Sequence, residues 1–151
     1  MKTYLILIIL LIIALIVENP LYVQARCIVD KYGHVLGPCS APTNPRIMDS
    51  FGNAITGTVK SGQQIQITAD LTNGQDRDQS FAYLVQIQDA NGVTVSLSWI
   101  TGMLTAGQSL NPAQSWIPAA SGTYTAQVFF WQSLNNPNPI QPPISILISV
   151  M

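Results

Sequence analysis

The sequence predicts an all-β fold, a two-sheet sandwich of seven strands, from three observations. Apolar residues recur at every second position in five runs between residues 64 and 150, which is the periodicity of strands with one buried face. Asparagine–glycine pairs and single glycines, typical of turns, separate these runs. No run after residue 25 has the apolar spacing of an amphipathic helix. The region 45–151 has the length and strand spacing of one sandwich domain.

Residues 1–25 are predicted to be a secretory signal peptide. Lys2 supplies a positive charge, and the 14-residue apolar run Tyr4–Val17 follows it. Fourteen helical residues rise about 21 Å, short of the ~30 Å hydrocarbon core of a bilayer. Val23 and Ala25 occupy the two positions that a signal peptidase reads, so cleavage after Ala25 is expected. We therefore expect a secreted or extracellular surface protein. The alternative is that the N-terminal segment is not cleaved, and membrane attachment is expected only in that case.

The segment 26–44 is predicted to be a small disulfide-linked hairpin followed by a proline-rich linker. Cys27 and Cys39 are the only cysteines, and an even number in an exported protein favours a disulfide. Gly33 would form the turn, and so short a loop is stabilised by about 3 kcal/mol or less. A metal site that adds His34 to the two thiolates is the alternative, but it lacks the C-x-x-C spacing of zinc sites.

The seven strands are expected after this segment. Pro42 and Pro45 predict a linker, because proline cannot donate a hydrogen bond to a sheet. The predicted strands are Ile47–Phe51, Ile65–Leu71, Phe81–Ile87, Val93–Trp99, Ser109–Trp116, Tyr124–Phe130 and Ile144–Val150. All except the first and fifth have an apolar residue at every second position. Asn73-Gly74 indicates a turn after the second strand, and Asn91-Gly92 predicts a tight hairpin between the third and fourth.

The segment Gly122–Val128 resembles the F strand of immunoglobulin-like and fibronectin-type domains, in which a tyrosine near the start forms the tyrosine corner. Tyr124 takes that place, and Ala126 stands where an antibody domain has its second core cysteine. The wider pattern resembles CARDB-like (cell-adhesion-related) domains of prokaryotic surface proteins and short secreted immunoglobulin-like proteins of archaea. The pieces that carry it are Ile67–Asn73, Gly107–Ser109, Ser115–Pro118 and Gly122–Tyr124. The resemblance implies a fibronectin III-like sandwich on an archaeal surface, without catalytic residues.

Charge and composition exclude several classes of function. Only 9% of the residues are charged, and the net charge is −1, whereas nucleic-acid binders and polybasic membrane-surface proteins need clustered Lys and Arg. His34 is the single histidine; after residue 25 the chain has no glutamate, and its six aspartates are mostly scattered. A catalytic triad would have to use His34, which lies in the predicted hairpin with only Asp30 near it to orient its ring. A type 1 copper site needs two histidines, and a glycosidase needs two carboxylates placed as a pair. We therefore expect no enzyme activity.

One acidic cluster is a candidate metal site. Asp70, Asp76 and Asp78 lie at the end of the second predicted strand and in the loop after it. Three carboxylates with nearby carbonyl oxygens could hold a weakly bound Ca²⁺. The calcium-loop pattern is absent and Arg77 stands within the cluster, so a solvated turn is the alternative. No other cofactor is expected.

Apolar side chains on the second face of three strands predict a contact surface. Leu84, Phe129, Trp131 and Leu147 point away from the predicted core, and their strands are neighbours in an immunoglobulin topology. An exposed apolar patch of this size usually marks an interface. The alternative is that the hairpin 26–39 folds back and covers the patch.

The expected function is a non-enzymatic extracellular module for adhesion, recognition or structural contact, with a protein or glycan at the cell surface as its partner. A second expectation is self-assembly into a surface filament or layer, in which protomers exchange or pair the last strand, Ile144–Met151. A third is a small secreted carbohydrate-binding module that uses Phe129 and Trp131. Trp99 and Trp116 are instead predicted to pack in the core or at a sheet edge.

Overall fold

A computed structural model describes residues 43–151, and every regular element in this part of the chain is a β-strand. In chain order the strands are β1 (Thr43–Met48), β2 (Ile65–Thr72), β3 (Gln79–Gln88), β4 (Thr94–Leu104), β5 (Ser109–Leu110), β6 (Ala113–Trp116), β7 (Gly122–Trp131) and β8 (Pro139–Val150). The all-β prediction is confirmed for these residues. The predicted signal peptide and the predicted Cys27–Cys39 disulfide lie outside them. Residues 43–151 contain no helix that is long and apolar enough to span a membrane.

The strands form two antiparallel four-stranded sheets. In the first sheet β2 is central, with β1 on one side and β5 and β6 on the other. The second sheet has the order β4-β3-β7-β8. Their facing sides share one buried core, in which Ile65 and Ile67 of β2 join Val85 of β3 and Val128 of β7. The predicted two-sheet sandwich is therefore confirmed.

The sequence predicts seven strands, whereas residues 43–151 contain eight. The fifth predicted strand is divided into β5 and β6, which continue one another along β2 in a single register, with Leu110 opposite Leu71 and Ala113 opposite Thr68. The interruption falls at Pro112, whose nitrogen has no hydrogen to donate to the ladder. The additional strand is thus one predicted strand broken by a proline.

The start of the sandwich also differs from the prediction. The prolines predict a linker through residue 44, but β1 already begins at Thr43 and contains Pro45. Because β1 is an edge strand, it tolerates a proline that a central strand would not. A register shift between Thr43 and Arg46, with Asn44 at a φ of 55°, accommodates the ring. The linker prediction is therefore wrong for residues 43 and 44.

The hairpin predicted between β3 and β4 is confirmed. The Asp89 N–H donates to the Val93 carbonyl at 2.9 Å, and the Gly92 N–H donates to the Asp89 carbonyl at 3.0 Å. Gly92 has a φ of 80°, a conformation that glycine adopts without steric cost. The Asp89 carboxylate also accepts the N–H groups of Asn91 and Val93, each at 2.9 Å. This turn lays β4 beside the full length of β3.

Two tyrosines use their hydroxyl groups inside the fold. The Tyr83 hydroxyl donates from β3 to the Ile67 carbonyl of the opposite sheet at 2.9 Å, and its ring lies 5.0 Å from that of Phe130. Burial raises the pKa of the Tyr83 phenol, so this hydroxyl keeps its proton. At the start of β7 the Tyr124 hydroxyl donates to the Ala120 carbonyl at 3.0 Å. This is the geometry of the tyrosine corner that the resemblance predicts.

Candidate functional site

The face of the second sheet that points away from the core, here called the outer face, carries an apolar groove. The groove has a volume of about 440 Å³ and is lined by Leu84, Gln86, Leu97, Trp99, Phe129, Trp131 and Leu134. Strand pairing brings them together, because Leu84 of β3 lies opposite both Trp99 of β4 and Phe129 of β7. Residues paired across neighbouring strands point to the same face of a sheet. The groove therefore follows directly from the register of three strands.

The groove has a buried floor and open sides. Leu84 forms the floor and is only 5% exposed. On the β4 side, Leu97 and Trp99 leave 55% and 53% of their surface exposed. On the β7 side, the rings of Phe129 and Trp131 lie 5.9 Å apart and are tilted by 53°. An open apolar concavity with aromatic sides is the form of a contact site.

The two ends of the groove differ in polarity. Leu134, from the loop between β7 and β8, lines the end next to Trp131 and is 40% exposed. Gln86 lines the opposite end, and its side-chain amide donates a hydrogen bond to the Thr94 hydroxyl at 2.8 Å. The groove thus contains one polar side chain, whose amide nitrogen already has a partner.

The strands that form the second sheet carry no charged residue. Asp89, in the β3–β4 turn, is the last charged residue of the sequence. The other charged residues of the region 43–151 lie in the first sheet or in loops: Arg46, Asp49, Lys60, Asp70, Asp76, Arg77 and Asp78. The outer face therefore offers shape and apolar contact to a partner, without charge complementarity.

Leu147 shares the outer face but does not line the groove. It is 69% exposed on β8 and lies opposite Thr125. On β7 and β8 the polar pair of Gln127 and Ser145 separates the row of Leu147 from Phe129. Rows on one face are two residues apart along a strand, so the row of Leu147 is about 13 Å from the row of Leu84. Three of the four predicted contact residues line the groove, and Leu147 stands apart.

The alternation of apolar residues in β4 does not predict that their side chains lie on the outer face. Trp99 does lie on an edge strand, as predicted, but its side chain lines the groove. The intervening Ser96 and Ser98 lie opposite Ile87 and Val85 and therefore point to the core side. Leu97 and Trp99 of β4 thus point outward, although the alternation around them resembles that of a core-facing strand, whereas Leu104 at the end of β4 is buried in the core.

A bulge explains the reversal. Thr94 pairs with Gln88 and Ser96 with Ile87, so Val95 is an extra residue in β4. One inserted residue reverses the face to which every following side chain points. No residue in the alternating run marks the bulge. The one available clue to the outward side of Leu97 and Trp99 was the pairing register that a two-residue turn at Asn91-Gly92 would set between β3 and β4.

Trp116 packs as the sequence predicts. It ends β6 and is 9% exposed. Its ring lies 5.0 Å from that of Tyr124 in an edge-to-face arrangement, which is favourable for two aromatic rings. Trp116 therefore supports the sandwich, and it does not line the groove.

The three predicted acidic residues do not converge. The Asp70 carboxylate forms an ion pair with Arg46 at 2.6 Å and accepts the Asn111 side-chain amide at 2.6 Å. The Arg46 guanidinium lowers the pKa of Asp70. Asp76 and Asp78 are exposed in the loop between β2 and β3. Among the residues that the structure describes, no three acidic, histidine or cysteine side chains form a metal-binding group, so the calcium prediction gains no support here.

No family model matches the sequence, and no curated protein is significantly similar to it. The fold is similar to that of the C-terminal domain of Wzt, with a TM-score of 0.58 and 13% identity over 74% of this chain and 72% of that domain. At this level of identity the likeness supports the fold alone.

Two further structures are similar over most of this chain. A β-glucuronidase from Bacteroides uniformis matches with a TM-score of 0.53 and 10% identity over 70% of this chain, which spans only 13% of the enzyme. The CARDB domain of a Pyrococcus furiosus protein matches with a TM-score of 0.46 and 14% identity over 74% of this chain and 94% of that domain. The second likeness is too low to carry an argument, and the first again concerns only the fold.

Proposed function

We propose that this chain is a non-enzymatic, immunoglobulin-like recognition module that works outside the cell and contacts a protein partner through the groove of the outer face. The observation that carries the proposal is the apolar groove itself, which three uncharged strands of the second sheet form around Leu84. Adhesion, recognition and structural contact at a surface can all use such a patch, and none requires catalytic groups.

The chemistry of the groove favours a protein partner. The centre of a protein–protein interface is rich in aromatic residues and poor in charge. Trp99, Phe129 and Trp131 provide three aromatic side chains around a buried leucine. Tryptophan is among the residues that most often dominate binding energy when a partner buries it. A partner that presents apolar side chains would fill the groove and exclude water from it.

A glycan is the second candidate partner, and the same aromatic rings support it. The apolar faces of a sugar ring can stack on Phe129 or Trp131. However, sugar hydroxyl groups lose their hydrogen bonds to water on binding and need polar replacements. Gln86 is the one polar side chain of the groove. A protein partner therefore remains the proposal, and a glycan partner is an outcome that the experiment below distinguishes.

Several sequence features support the remaining parts of the proposal. The apolar N-terminal run after Lys2 supports export, and Cys27 and Cys39 fit a disulfide in an exported protein. The tyrosine corner of Tyr124 supports an immunoglobulin-like domain, of which the CARDB-like surface proteins of archaea are the proposed relatives. Residues 43–151 contain no histidine, cysteine or glutamate, which favours a non-catalytic role.

Binding of the labelled full chain to isolated envelopes of its own cells tests the proposal. Replacing Phe129 and Trp131 together by alanine should weaken saturable binding at least tenfold, since truncating a buried aromatic anchor typically costs 2 kcal/mol or more, roughly thirtyfold. Both side chains are part-exposed, so circular dichroism should show the fold retained. Pretreating the envelopes with protease should abolish binding if the partner is a protein, whereas loss on periodate treatment alone would indicate a glycan.

The matched control is Leu147→Ala. Leu147 is an exposed apolar residue on the same face, separated from Phe129 by the polar pair of Gln127 and Ser145. It should bind like the wild type. Equal binding by the wild type and the Phe129→Ala/Trp131→Ala variant, or the absence of any saturable binding, would refute the role of the groove.

A further inference from the structure

Three of the four sheet edges in the described structure carry features that discourage pairing with another chain. At one edge of the first sheet, β1 contains Pro45 and a register shift. At the other edge, β5 and β6 are 2 and 4 residues long and are separated by Pro112. Short strands, bulges and prolines are the usual means by which proteins protect sheet edges.

The β8 edge of the second sheet is protected near both of its ends. Near its end, Val59 forms a parallel bridge with Val150, and the Met151 N–H donates to the Val59 carbonyl at 2.9 Å. The first half of β8 contains Pro139, Pro142 and Pro143. These features make β8 a poorer acceptor for another chain than a long, regular edge strand.

The β4 edge has almost none of these features. β4 is 11 residues long and contains neither a proline nor a charged residue. Its bulge lies at the hairpin end, beside Val95, and leaves Ser96–Leu104 regular. Within residues 43–151, the backbone of Val95–Met103 is hydrogen-bonded only to β3. The outward N–H and C=O groups of a long, regular strand are thus available to another strand.

We propose that β4 is a self-association edge, where the β4 strands of two copies of this chain pair antiparallel about a two-fold axis near Trp99. Two-fold pairing places the same short segment of each copy side by side, so any charge there would repel its own counterpart. β4 carries no charge, which makes an identical strand an acceptable partner. The inference rests on the proposed function, a contact role for the outer face, and it names a second copy of this chain as the partner of the β4 edge beside that face.

Pairing through β4 defines the assembly. A two-fold interface uses the same patch on both copies and closes at the dimer, so it produces no filament. The two sheets become one eight-stranded sheet, and the two outer faces become continuous. Each groove is centred on β3, so three interstrand spacings, about 14 Å, separate the two grooves. The dimer would therefore present two adjacent grooves to a partner.

The solution mass of the full chain, purified as the cell exports it, tests the inference by sedimentation over about 1 μM to about 1 mM. The wild type should shift from monomer to dimer. Thr101→Lys/Met103→Lys, at β4 positions outside the groove, places charged side chains opposite the apolar Leu97 and Val95 of the paired strand and should raise the dimer dissociation constant at least tenfold. Met103 is 60% exposed and Leu147 is 69% exposed. Leu147→Lys, on the same face of β8, is therefore the matched control and should dimerise normally.

Amide hydrogen exchange supplies the second measurement. Exchange along β4 should slow as the wild type dimerises and should stay fast in the lysine variant. A wild type that is monomeric at every concentration would overturn the inference, and protected β4 amides in that monomer would show that another part of the chain covers the edge. A dimer insensitive to the β4 lysines would also overturn it. Envelope binding by the groove variants tests the proposed function separately, so a failure of dimerisation and a failure of groove recognition are distinguishable.

Discussion

Replacing Asn73 by alanine tests a buried polar junction between the two sheets. Asn73 follows β2 and is fully buried. Its side-chain nitrogen lies 2.8 Å from the carbonyl oxygen of Arg77 and 3.0 Å from those of Leu104 and Thr105. Its side-chain oxygen accepts the Gln75 N–H at 3.0 Å. One amide therefore holds the β2–β3 loop against the end of β4.

The expected cost follows from the bonds that are lost. The two hydrogens and the oxygen of the Asn73 amide together form the equivalent of three hydrogen bonds. Each such bond contributes a net ~1 kcal/mol to the free energy of unfolding. Asn73→Ala should therefore lower the free energy of unfolding by about 3 kcal/mol, or lower Tm by roughly 12–24 °C in a domain of this size. Asn73→Asp keeps the acceptor but places a carboxylate against three carbonyl oxygens, so it should cost at least as much.

Urea unfolding followed by tryptophan fluorescence measures these differences. Asn91→Ala is the matched control, because Asn91 also precedes a glycine but is exposed in the β3–β4 turn. The control should change stability by no more than about 0.5 kcal/mol. If Asn73→Ala costs no more than Asn91→Ala, the amide of Asn73 is not a structural junction and the reasoning is wrong.

Two further predictions concern the edge strand and the first sheet. Gly102→Ala should lower the free energy of unfolding by about 1–3 kcal/mol, because a Cβ at Gly102 would lie 2.9 Å from Cε1 of Phe81. In a Phe81→Leu background this loss should largely disappear when it is measured by denaturant unfolding. An equal loss in both backgrounds would contradict the clash. Hydrogen bonding to Arg46 holds the pKa of Asp70 below its ordinary value. The Asp70 carboxylate therefore stabilises the fold above its unfolded-state pKa, and this contribution is lost as pH falls through the lower folded-state pKa. Arg46→Met should raise the pKa of Asp70 in an NMR titration, and an unchanged pKa would show that the ion pair does not cause the shift.

Much of the fold is predictable because its signals are local. The strands alternate with period two, Asn91-Gly92 sets the turn between β3 and β4, and Tyr124 occupies the tyrosine-corner position. Each of these signals involves residues that are neighbours along the chain, so it can be read without knowing the partner strand. Leu84, Phe129 and Trp131 were predictable for the same reason, since each lies on the opposite side of its strand from a clear core residue.

The groove as a whole depends on pairing between strands, and pairing is a tertiary property. A single bulge beside Val95 turns Leu97 and Trp99 from the expected core side to the outer face. The environment of Asn73 similarly depends on the end of β4 and the turn after it, more than 30 residues away. The sequence by itself determined the strands, most of their turns and the uncharged character of the second sheet. Only the tertiary structure decided the register, and with it which side chains meet in the groove, because a shift of one residue exchanges the two faces of a strand without changing its alternation.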